Sequence, residues 1–173
     1  MTIPRGMALV MCDVDCGSQT VGMVKKVLEW RKRDPTGSKA LMDELQKCNK
    51  TLASTLKSGS VAQLEAAFEA IRARIREMGE RSGVPIEPPE QTELLDTVTK
   101  SVEGVAGGVV PGAGGYDAIV LLVKDDAETR KEIENFLAKW SVEKKSNVKL
   151  LDARGELEGA KQEDAALYAG FGQ

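Results

Sequence analysis

Apolar positions recur along this chain with two different periods. Between Val61 and Met78, the residues Val61, Leu64, Phe68, Ile71, Ile75 and Met78 follow at steps of three and four with charged residues between them, which predicts an amphipathic helix. Leu41, Leu45, Cys48, Leu52 and Leu56 keep the same spacing, so a second helix is expected from Ser38 to about Leu56. A third starts at Thr20, a suitable N-cap, carries Val24, Val27, Leu28 and Arg31, and stops at Asp34-Pro35, where Asp-Pro-Thr-Gly reads as a turn. Gln91 to Val102 predicts a short helix, and Ile133, Phe136, Leu137 and Trp140 mark one face of another that begins near Asp126. The remaining apolar runs are short and rich in β-branched residues. Met7 to Val14, Val105 to Val110, Ala118 to Val123 and Val148 to Asp152 are therefore expected as strands. Gly83 to Pro89 contains three prolines and reads as a rigid, extended connector.

The resulting order is strand, several helices, two strands, helix, strand. Two β-helix-β units combined in this way predict an α+β, ferredoxin-like antiparallel sheet with helices on one face and an enlarged helical insertion in the first half. Trp30 and Trp140 are assigned to packing, and the charged residues between Val61 and Met78 to a solvated face. We set residues 1–6 apart as a native leader or a cloning remnant, 7–160 as the domain, and 161–173 as a loosely held tail. Such folds serve many functions, so the fold alone implies none.

Composition narrows the chemistry. The 173 residues are 42% hydrophobic and 29% charged, and 24 Lys plus Arg against 27 Asp plus Glu leave a formal charge of -3. This balance offers no basic field for nucleic acid. No apolar run approaches the roughly 20 residues that span a bilayer, and the start lacks the apolar stretch of a secretory signal, so the expectation is a cytoplasmic protein without a membrane partner. The chain has no His, which removes the commonest general base and the Ser/His and Cys/His nucleophile pairs. Cys12, Cys16 and Cys48 form no CxxC knuckle, so structural zinc is not expected.

The feature with most chemical content is VVPGAGGYDAIVLLV, Val109 to Val123. Between its two apolar runs stand one Pro and three Gly, at Pro111, Gly112, Gly114 and Gly115. Glycine amides can approach an anion with no Cβ in the way, although a bend at a sheet edge also recruits glycine. Gly112, Ala113, Gly114 and Gly115 are the primary candidates for binding phosphate, with Gly114 expected at positive φ and its N–H presented to the anion. Asp117, just beyond them, either orients the loop or serves as a turn-bonding carboxylate. Ser18, Gln19 and Thr20, at the start of the first helix, either bind an anion by its dipole and free amides or simply cap it.

The stretch Val109 to Ala118 resembles the third, C-terminal glycine-rich motif of the GHMP kinases, in the form found in fungal phosphomevalonate kinases. Asp13 to Thr20 followed by Met23 to Arg31 is similar to the strand-to-helix segment of the same domain, as is Ser82 to Pro88 with Gln91-Thr92 and Leu94-Leu95-Asp96. The three matches occur in order and cover roughly residues 7 to 160. The resemblance implies transfer of the ATP γ-phosphoryl to phosphomevalonate, giving diphosphomevalonate on the route to isoprenoids and sterols. It also implies an N-terminal domain that holds ATP and Mg in a serine- and glycine-rich loop. No PxxxGLGSSAA-like loop occurs in these residues. The expectation is therefore an acceptor-binding half with no cofactor, catalytic residue or metal ligand of its own, inactive without the N-terminal kinase domain. Such a half, with its apolar contact surface exposed, would tend to self-associate. A stand-alone module that binds a metabolite, or a protein-interaction domain derived from such a kinase, remains the alternative.

Overall fold

The computed structural model describes residues 3–14, 20–58, 60–153, 162 and 164. Its elements run β1 (Met7–Val14), α1 (Thr20–Arg33), α2 (Pro35–Ser58), α3 (Val61–Ser82), α4 (Pro89–Ser101), β2 (Val105–Val109), β3 (Ala118–Lys124), α5 (Ala127–Lys144) and β4 (Val148–Leu150). The four strands form one antiparallel sheet in the order β2-β3-β1-β4, the ferredoxin-like arrangement, with α1, α2 and α3 as the helical insertion. The register pairs Met7 with Lys124 and Asp13 with Ala118, and alternation along the strands then sorts side chains to the two faces.

Val10, Cys12, Ile119, Leu121 and Val123 point to the face covered by α4 and α5, where they meet Leu94, Leu95, Val98, Ile133, Leu137 and Trp140. Burial pushes the Cys12 thiol up to about 12, so it behaves as a small apolar residue there. The α2–α3 pair closes over the β2 end of the other face, where Leu64 and Phe68 pack on Ala106 and Leu122. Gly107 makes this possible, because a Cβ there would stand 2.6 Å from the Phe68 ring. Leu9 and Met11, on the same face, remain 45% and 37% exposed.

Two expectations need correction. Asp34-Pro35 is not a turn but the start of α2. Pro35 occupies the first helical position, where its missing N–H is harmless, while the Asp34 carboxylate accepts the Gly37 N–H at 2.9 Å. Nor is the charged side of α3 wholly solvated, because Arg72 is only 5% exposed. Its periodicity looked polar, but the connector and α4 fold against it and supply counter-charges. Trp30 and Trp140 are buried, as their packing role requires.

Candidate substrate-binding site

The glycine-rich loop joins β2 to β3, and it is held by its neighbours on three sides. Gly112, Gly114 and Gly115 take φ of 65°, 82° and 102°, values that a side chain opposes. The Gly114 N–H donates to the Pro111 carbonyl at 3.1 Å and the Gly115 N–H to the Ile86 carbonyl at 2.8 Å. Buried Gln91 donates to the Tyr116 carbonyl at 2.9 Å, and the Val14 N–H donates to the Asp117 carbonyl at 2.7 Å. The loop is thus tied to the connector, to α4 and to the end of β1.

These bonds give the glycines different tasks. A Cβ on Gly114 would collide with the Ile86 carbonyl and lie 2.8 Å from its Cα, so close approach of two backbones requires glycine at this position. Gly114 has the expected positive φ, but its N–H turns inward to Pro111 rather than outward. Gly112 differs, being exposed with nothing within 4 Å of where a Cβ would stand. Gly112 and half-buried Ala113 therefore form the outward shoulder of the loop, and the Asp117 side chain is exposed beyond it. Thr20 is exposed at the first residue of α1, while Ser18 and Gln19 lie outside the described residues.

The support behind the loop was missed in the sequence. Glu87, the residue after Ile86, has a side chain only 1% exposed, and its Oε1 accepts from Arg72 Nε at 3.0 Å and Nη2 at 2.8 Å. Arg76 Nη1 at 2.9 Å and Thr92 Oγ1 at 3.0 Å donate to the same oxygen. Arg72 Nη1 also reaches Asp96 at 2.7 Å. Burial works against the charge of Arg72, but its bonds to Glu87 and Asp96 outweigh it and hold the guanidinium above its usual pKa. Only the cluster's residue types were visible in advance; partners 15 and 24 positions apart leave no periodic signal.

Beside the connector lies a cavity of about 690 Å³ lined by Arg76, Val84, Pro85, Pro88, Thr92 and Asp96 among others, and the glycine loop is not part of its wall. The described residues contain no group of three or more His, Cys, Asp or Glu side chains placed to hold a metal ion. No described helix is long and apolar enough to cross a membrane.

The sheet order and its glycine-loop crossing between β2 and β3 are shared with kinases of this fold, and the sequence comparison identifies the class. The family profile "GHMP kinases C terminal" matches residues 52–142, and the chain belongs to this family. Phosphomevalonate kinases are among the relatives it matches. It is 58% identical over 171 residues to phosphomevalonate kinase from Gibberella zeae, an alignment covering 99% of this chain and 38% of that protein. It is 44% identical over 188 residues to the Aspergillus fumigatus enzyme, covering 99% of this chain and 39% of that protein. The chain thus spans about two-fifths of the length of these relatives. Among solved structures, L. major mevalonate kinase in complex with R-mevalonate shares the fold with a TM-score of 0.60 and 14% identity, covering 79% of this chain and 40% of that one.

Proposed function

We propose that this chain is the acceptor-binding half of a phosphomevalonate kinase, which transfers the γ-phosphoryl of ATP to phosphomevalonate and releases ADP and diphosphomevalonate. The observation that carries this reading is the glycine loop. Its inner amides are fixed by Pro111 and Ile86, and Gly112 and Ala113 are turned outward. A loop fixed from behind presents its outer backbone to an anion without reorganising, as transfer between phosphates requires. Gly112 and Ala113 face the acceptor phosphate, Gly114 and Gly115 hold their position, and Asp117 borders the same acceptor.

ATP and Mg belong to the N-terminal kinase domain that acts with residues 7–160. The test is a coupled ADP-release assay. The 173 residues alone should give no phosphomevalonate-dependent turnover, and joining them to a nucleotide-binding half of the same family should restore it. Turnover by the chain alone, or none by the joined protein with phosphomevalonate, contradicts the reading.

A further inference from the structure

Ile86 sets the place of the glycine loop, because its carbonyl takes the Gly115 N–H and its Cα fills the space beside Gly114. The next residue, Glu87, has its side chain buried and bonded to α3 and α4. We propose that Glu87, anchored by Arg72, Arg76 and Thr92, is a positioning residue for the acceptor phosphate. It acts through Ile86 on the loop; this role rests on the function proposed above.

The anchor has the properties that positioning needs. Four donors from two helices converge on one carboxylate oxygen, so a shift of the connector toward either helix stretches bonds to the other. Pro85, Pro88 and Pro89 restrict the backbone on both sides, and the Val84 N–H is held by the Gly79 carbonyl at 2.9 Å. Ion pairs buried this deeply are often no more stabilising than apolar side chains of the same volume. Here the pair occurs one residue from the backbone that contacts the loop, where fixing a position serves the chemistry and apolar packing would leave more freedom. Small displacements at such a site have large kinetic effects.

The experiment uses the complete kinase and follows both kinetics and amide exchange. Glu87→Gln should lower kcat/KM for phosphomevalonate about 10-fold or more, leave KM for ATP within about twofold, and speed exchange of the Gly115 amide. Thr92→Val, which removes one donor and keeps the shape, should act in the same direction by about threefold, and Thr92→Ser should restore the parent value. Leu137→Ala, in the α5 core, is the control for lost stability and should leave these constants unchanged. Folded Glu87→Gln or Thr92→Val with parental acceptor kinetics, or with effects matched by Leu137→Ala, overturns the proposal. A parent kinase that does not phosphorylate phosphomevalonate overturns the functional reading instead, while the Gly115 exchange rate still decides whether Glu87 anchors the loop.

Discussion

The Ile86 carbonyl accepts the Gly115 N–H at 2.8 Å, and the same Ile86 backbone occupies the space where a side chain on Gly114 would stand. A proline-rich connector and a glycine-rich loop, nearly thirty positions apart, thus act as one unit. The connector supplies the rigidity and the loop the close approach.

That relationship predicts unequal effects at two glycines. Gly114→Ala meets both a positive φ and the Ile86 backbone, so it should destabilise the fold by about 2–4 kcal/mol. Gly112→Ala meets only the positive φ and should lose about 1 kcal/mol. Urea unfolding of the two variants beside the parent measures the difference, and equal losses would mean that Ile86 does not press on Gly114.

Acid should act through the helix caps. Asp126 accepts the Thr129 N–H and pairs with Lys124, and these contacts, the Lys124 bond first, lower its pKa from 3.8 to about 2. Asp34 is lowered too, by the Gly37 N–H and then by Arg81. A carboxylate with a depressed folded pKa stabilises the fold above its unfolded value and stops doing so as pH falls through the folded one. Thermal stability should therefore decline between about pH 4 and pH 2 for this reason. Asp126→Asn should melt below the parent at pH 6 and converge with it near pH 2, whereas a constant gap would show that the charge of Asp126 is not involved.

The open face of the sheet predicts association. Leu9, Met11 and Leu151 are exposed, as are Val21, Val24 and Leu28 along one stripe of α1. Apolar surface of this kind tends to be covered by another chain or domain. Light scattering of the 173-residue chain at high concentration should detect dimers or larger species, and Leu9→Glu with Leu28→Glu should reduce them. A strict monomer would mean that this face needs no cover.

Much of this fold was legible in the sequence because its elements obey local rules. The spacing of Val61 to Met78 specified α3, and the β-branched runs specified the strands. Asp34-Pro35 was misread because the same pair suits a turn and a helix start, and only the helix that follows distinguishes them. Gly37 also looked like a turn residue, yet a Cβ there would run into Arg81 and Asp34, an ion pair that ties α3 to the residue just before α2. The glycine loop was visible as a motif, but the division of labour within it was not. That division depends on Ile86 and Gln91, contacts made across the fold, as does the burial of Arg72.

The central claim is that a phosphate lies against the outer shoulder of the loop, and a pair of substitutions at Gly112 tests it most directly. Asn and Asp both tolerate the left-handed conformation, and open space surrounds a Cβ at this position, so the two variants should fold alike and differ in charge alone. Steady-state kinetics of the complete kinase with phosphomevalonate varied is the measurement. The account predicts that Gly112→Asp loses about 10-fold or more in kcat/KM relative to Gly112→Asn, because a carboxylate within a few ångströms of a phosphate repels it strongly in a partly desolvated site. Equal efficiency of the two variants would contradict it.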